Sequence, residues 1–224
     1  VMSIALENTA VSQDLPDESH RTQVRIWLYG ICLLVFAMVI VGGATRLTDS
    51  GLSITEWQPL LGAIPPLSAA DWQIAFDKYK LIPEYTQINK GMSLEEFKFI
   101  YWWEWAHRFL GRFVGLAFFV PLVYFWVSGK LEHHLKPKLV ALLFLGGLQG
   151  FIGWWMVSSG LSERVDGSQY RLAVQLTLAN VIFAWCLWIA RGLAPHSNEH
   201  STATGRNFAP FIVIAVLIQI FLGA

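Results

Sequence analysis

The chain has 224 residues, of which 54% are hydrophobic and 14% charged, and its 16 basic and 16 acidic side chains cancel. A soluble domain carries about 25% charged residues, so this composition excludes a soluble globule and a disordered chain. A chain without net charge also has no global field that would attract phosphate, which excludes a nucleic-acid binder. The two cysteines, Cys32 and Cys186, lie inside apolar runs and predict neither a disulfide nor a metal site. The composition predicts a membrane protein.

Apolar segments in chain order predict an all-α, polytopic membrane helix bundle. A bilayer span needs about 20 mainly apolar residues, and four segments meet this requirement: Ile26–Thr45, Tyr101–Val127, Leu139–Val157 and Leu172–Ala190. A fifth, Phe208–Ala224, reaches the end of the sequence without a flanking loop, and we expect it to be a truncated helix of a longer protein. The predicted organisation is an N-terminal arm (1–25), a four-helix bundle (26–190) containing a long loop (46–98), and the truncated helix (208–224).

The basic residues near the span ends predict the orientation of the bundle. They lie in the arm and in the second and fourth connections: Arg21, Arg25, Lys130, Lys136, Lys138, Arg191 and Arg206. By the positive-inside rule the N-terminus is cytoplasmic and the long loop faces outward. The arm is acidic and poor in arginine, unlike a mitochondrial transit peptide. We therefore expect a multi-pass protein of a bacterial inner membrane.

The long loop contains two helix-start signals. Ser68 followed by Asp71 predicts a helix that runs through Tyr79, and Ser93 followed by Glu96 predicts a capping box that leads into the second span. The loop either packs as a lid on the outer membrane face or closes a site at that face.

Ionisable residues inside a span are costly, and each is a functional hypothesis. Glu104, His107 and Arg108 share one broad helix face of the second span. Three interpretations fit them: a haem-iron ligand with polar partners, a proton relay, or a structural ion pair that locks helices.

Depth relates His107 to Gln175 in the fourth span. Each lies about six residues, roughly 9 Å, inside the outer end of its helix. Antiparallel connectivity brings both to one level of a bundle, where facing polar positions often build a cofactor pocket. Histidine at both positions would favour bis-His haem ligation, whereas glutamine is a poor iron ligand and more often donates a hydrogen bond.

Three stretches carry a family resemblance: Val41–Trp57 (VGGATRLTDSGLSITEW), Ile88–Arg108 (INKGMSLEEFKFIYWWEWAHR) and Ser168–Ala179 (SQYRLAVQLTLA). Together they resemble the haem A synthase family, in the variant without a cysteine pair in the first outward loop. The resemblance implies a pseudo-symmetric eight-helix protein whose two halves each hold a haem between their second and fourth helices. This chain corresponds to the N-terminal four-helix half plus the start of a fifth helix.

The resemblance also implies the activity. Haem A synthases oxidise the C8 methyl of haem O to a formyl by successive hydroxylations, giving haem A for cytochrome oxidase. The N-terminal half takes the substrate haem O, and a haem B belongs to the C-terminal half outside this chain. The implied partners are haem O, haem O synthase, cytochrome oxidase assembly factors and membrane lipid, with no nucleic acid; a homo-oligomer stays open.

Residue by residue, the resemblance makes His107 an axial iron ligand and Glu104 the acidic, catalytic residue near the reacting haem edge. Arg46, Arg108 and Arg171 match basic residues that pair with haem propionates, which suit a bidentate guanidinium; anchoring of helix ends is the alternative role for all three.

Gln175 departs from the family pattern, which has histidine there. We expect Gln175 to contact the cofactor either as part of an altered, impaired form or in a site that is five-coordinate through His107. Two other functions stay open: a non-catalytic membrane module for haem binding or cytochrome oxidase assembly, and a small transporter that binds no haem.

Overall fold

The computed structural model describes residues 18–57, 61–160, 169–195 and 203–223, and all regular structure in these ranges is helical. The helices are α1 (Glu18–Leu47), α2 (Ala69–Tyr79), α3 (Pro83–Gln87), α4 (Leu94–Val127), α5 (Lys136–Gly160), α6 (Gln169–Gly192) and α7 (Ala203–Gly223), with a single 3-10 turn at Leu61–Ala63. The predicted all-α class is confirmed. Most of the N-terminal arm (1–17) lies outside the described residues.

The four helices α1, α4, α5 and α6 contain the predicted spans and are each long and apolar enough to cross a membrane. The chain is therefore a multi-pass membrane protein. Both predicted helix starts are present as capping boxes, one at Ser68 with Asp71 and one at Ser93 with Glu96. The second explains why α4 begins at Leu94, earlier than the apolar run that starts at Tyr101, because the box satisfies the first backbone N–H groups outside the membrane.

Helix packing makes a four-membered ring. Helix α1 packs against both α4 and α6, and α5 packs against the same two helices from the other side. Helices α4 and α6 are therefore diagonal to each other. The connection between α1 and α4, which includes α2 and α3, lies at one end of the ring, called here the loop end.

Two hydrophobic cores stabilise the ring at different levels. The first fills the end opposite the loop and includes Leu28, Leu122, Leu139 and Cys186 from the four helices. The second lies at the loop end, where α2 packs on the start of α4, and its rings stack closely: the centroids of Phe76 and Phe97 are 5.0 Å apart. The long loop is thus a packed layer over the bundle.

Between the two cores lies a section of the ring without buried side chains. No residue is buried between Val35 and Thr45 in α1, between Glu104 and Phe118 in α4, between Leu142 and Ile152 in α5, or between Ala173 and Cys186 in α6. We call these four intervals the open section. Protein interiors are normally close-packed, whereas the side chains at this level are all partly or fully exposed, and we take it as the candidate ligand level.

Candidate functional site

His107 lies in the open section and faces α1. A Cβ placed on Gly42 would stand 3.2 Å from Nε2 of His107, so the imidazole occupies the space that any larger residue of α1 would take. Among the described residues, no hydrogen bond reaches either ring nitrogen. Among the described residues, therefore, neither nitrogen of this imidazole has a protein hydrogen bond, and either one is free to ligate iron.

Gln175 also lies in the open section and faces α5. A Cβ placed on Gly153 would stand 3.1 Å from its Nε2. One turn before Gly153, Gln149 donates a hydrogen bond from Nε2 to the backbone carbonyl of Gln175, at 3.0 Å. The side-chain oxygens of both glutamines are buried and have no hydrogen-bond partner in the described part of the chain.

The structure brings His107 and Gln175 to the same section but not into contact. Because α4 and α6 are diagonal, each side chain packs against a glycine of the neighbouring helix instead. Any group that contacts both must lie inside the ring.

Glu104 and Arg108 bind the segment that follows α1. Glu104 is 2% exposed, and its Oε2 accepts hydrogen bonds from the Ser53 hydroxyl and the Ile54 backbone N–H, both at 2.7 Å. Its Oε1 forms an ion pair with Arg108, which also donates to the carbonyls of Ile54 (2.9 Å) and Glu56 (3.1 Å). The pair therefore anchors this segment over α4, as in the structural alternative. A catalytic role of Glu104 stays a prediction.

Arg46 and Arg171 lie at the loop end of the open section. Arg46 is exposed one turn beyond Gly42 on α1, and Arg171 precedes Gln175 by one turn on α6, about 6 Å along the helix. The Arg171 guanidinium lies 4.3 Å from the centroid of the Trp155 ring and donates to the Trp155 carbonyl at 3.4 Å. Unlike Arg108, neither residue forms an ion pair among the described residues.

A buried acid that the sequence reasoning missed lies under the long loop. Glu84 of α3 is 4% exposed and accepts a hydrogen bond from the Tyr79 hydroxyl at 3.3 Å, while Asn89 donates to that hydroxyl at 2.8 Å. Burial and the nearby charge of Glu104 raise the pKa of Glu84 to about 7.

The sequence reasoning also missed Gly42 and Gly153 as residues of the site, and it did not predict that Gln149 is the hydrogen-bond partner of Gln175. The sequence does contain a signal for Gly42, since it belongs to the Val41–Trp57 stretch. The roles of Gly153 and Gln149 depend on contacts between helices, for which the sequence contains no signal. Within the described ranges no group of three or more His, Cys, Asp or Glu residues is placed to hold a metal ion.

Known proteins share extensive sequence similarity with this chain. The family model COX15-CtaA, described as cytochrome oxidase assembly protein, matches residues 25–224. The heme A synthase of Chelativorans sp. (strain BNC1) is 61% identical over 222 residues, covering 98% of this chain and 62% of that protein. The heme A synthases of Mesorhizobium japonicum and Agrobacterium fabrum are 60% and 59% identical, each over 92% of this chain and 57% of their own length. No solved structure matches the chain.

The chain thus spans about 60% of the length of the curated relatives that it matches. The matched region includes every helix that lines the open section, and with it His107, Gln149 and Gln175. The chain belongs to the COX15-CtaA family of cytochrome oxidase assembly proteins.

Proposed function

We propose that this chain is the haem O-binding, N-terminal part of a haem A synthase, which oxidises the C8 methyl of haem O to the formyl of haem A. The observation that carries the proposal is the open section itself, with the unpartnered imidazole of His107 inside it. The names of the relatives, each a heme A synthase, support the same reaction.

The residues present fit a haem. The open section offers one imidazole as an axial ligand, and Gly42 keeps the backbone of α1 clear of that imidazole. A bound haem O would supply both the iron for His107 to ligate and the ring methyl group that is oxidised. Gln175 is turned toward α5, so His107 is the iron ligand that the protein supplies. Gln175 contacts the cofactor but does not ligate the iron as a histidine would.

The charged residues hold the polar side of the ligand at the loop end. Arg46 and Arg171 are the candidates for the haem propionates, because guanidinium groups form strong paired hydrogen bonds with carboxylates. Arg108 serves this end indirectly, since its donors hold the backbone of Ile54 and Glu56. Glu104 keeps Arg108 and Ser53 in place and puts a carboxylate near the reacting edge.

The setting follows from the same proposal. The bundle lies in a bacterial inner membrane with its N-terminus in the cytoplasm and the loop end facing outward. Haem O synthase would deliver the substrate and cytochrome oxidase assembly factors would receive the product. The haem B that relays electrons belongs to the C-terminal half of the eight-helix protein.

The experiment is expression of the intact protein in membranes that contain haem O, followed by pigment extraction and chromatography. We expect a haem A peak that depends on the protein. Bound haem O without conversion would contradict the enzymatic proposal.

A second candidate is a non-catalytic haem-binding or cytochrome oxidase assembly module. Gln175 favours it, because a side chain that ligates iron poorly stands where the family has histidine. This module binds haem O and leaves it unchanged, so the same chromatogram distinguishes the two candidates.

A further inference from the structure

Among the described residues, three side-chain oxygens in the open section are buried without a hydrogen-bond partner, those of Gln149 on α5 and of Gln175 and Thr177 on α6. The two glutamines are joined by the hydrogen bond from Gln149 Nε2 to the Gln175 carbonyl. A buried acceptor without a donor is costly, because the group has lost its hydrogen bonds to water and gained none. Two such oxygens on adjoining helices mark a position that suits a donor.

We propose that Gln149 and Gln175 form a subsite that accepts a hydrogen bond from a hydroxyl group of the bound porphyrin. This inference rests on the proposed function, since it assigns the subsite to haem O. Haem O carries a hydroxyl on the carbon that joins its long isoprenoid chain to the ring, where haem B carries a vinyl group. The subsite would therefore select haem O over haem B.

The donor must be a hydroxyl rather than a cation. Carboxamide oxygens are neutral acceptors, and no acidic side chain is buried in the open section, so a charged ligand group would stay uncompensated there. A hydroxyl needs only an acceptor of this kind. A ligand that lacks the hydroxyl leaves the acceptors unpaired and gains no hydrogen bond from them.

The surrounding packing keeps the pair in place. The Gln149 amide fixes α5 to α6 at the level of the predicted ligand. Gly153, one turn later on the same side of α5, has no side chain, so the Gln175 amide lies directly against the backbone.

The test measures porphyrin affinity rather than turnover. The intact protein, with haem B already bound in its C-terminal half, is titrated with haem O and with further haem B, followed by absorption. The variants Gln149→Leu and Gln175→Leu are compared with Gln73→Leu, which removes an exposed amide of α2 that bonds to Asp77, outside the open section. Parent and variant proteins bind the same haem O, so the isoprenoid chain contributes equally to both affinities. Its contribution therefore cancels in the ratio of variant to parent affinity.

We expect each glutamine variant to bind haem O about fivefold more weakly, the size of one neutral hydrogen bond, while its affinity for haem B is unchanged. Gln73→Leu should alter neither affinity. Equal weakening of both porphyrins, or none, would overturn the subsite and assign the oxygens to a water molecule or to helix packing. Failure of the parent protein to bind haem O at all would instead overturn the proposed function.

Discussion

The imidazole of His107 in α4 rests on the backbone of Gly42 in α1, where a Cβ would stand 3.2 Å from Nε2. That distance is shorter than ordinary van der Waals contact, so the presence of glycine at residue 42 sets where the candidate iron ligand can lie. A Cβ added to the neighbouring Gly43 would have no atom within 4 Å. Substitution of Gly43 is therefore a control for substitution of Gly42.

Gly42→Ala should therefore displace His107, whereas Gly43→Ala should not. We expect the first variant to lower haem occupancy and shift the main absorption band of the purified protein. The second should leave both unchanged, because alanine is tolerated in a helix at least as well as glycine. Identical spectra for the two variants would contradict the contact as a determinant of the ligand position.

His107→Ala should remove the axial ligand and with it most of the bound haem. The control is His133→Ala, since His133 is exposed in the connection between α4 and α5. The measurement is haem content per protein together with the absorption spectrum. Unchanged content and an unchanged spectrum in His107→Ala would eliminate it as the ligand.

Gln175→His should raise haem content or increase low-spin character. The substitution restores an imidazole at the second predicted ligand position, and Gly153 leaves space for a side chain there. Electron paramagnetic resonance of the oxidised protein distinguishes five-coordinate from six-coordinate iron. If spin state and occupancy are both unaffected, residue 175 does not ligate iron in this protein even as histidine.

Glu104→Ala should destabilise the protein by about 3 kcal/mol, because removal of one member of a buried ion pair leaves the other uncompensated. The loss should be greatest in the segment that Glu104 holds, around Ser53 and Ile54. Thermal unfolding and the rate of proteolysis in this segment provide the measurements. Glu95→Ala is the control, since Glu95 pairs with Lys98 at an exposed position and should have little effect.

Stability of the long loop should depend on pH through Glu84. Its pKa in the folded protein is about 7, above its ordinary value of 4.5, so the folded state holds the proton more tightly than the unfolded state. The contribution is favourable below about pH 4.5 and is lost as the pH rises to about 7, after which it stays constant. The groups that act on Glu84 are Tyr79, Glu104 and Asp49.

Glu84→Gln should remove this pH dependence, because the amide is neutral at every pH tested. Unfolding temperatures at pH 5 and pH 8 should then differ less in the variant than in the parent protein, with Glu95→Gln behaving like the parent. An equally steep dependence in Glu84→Gln would mean that another group titrates.

The sequence by itself determined the helical class, the four spanning segments and both capping boxes. These features are local: the apolar run from Ile26 to Thr45 must be helical in lipid because its backbone groups have no other partners there, and Ser93 needs only Glu96 to begin α4. The sequence also showed that His107 and Glu104 carry a free-energy cost inside a span, because this cost depends on residue type alone.

The tertiary structure decided what those residues contact. Depth placed His107 and Gln175 at one level, but only the ring order of the helices made α4 and α6 diagonal and turned each side chain toward a glycine of its neighbour. The partners of Glu104 come from a segment about 50 residues earlier, and the burial of Glu84 depends on α2 packing over α4. Such contacts join residues far apart in the chain, and no local pattern of charge or hydropathy specifies them.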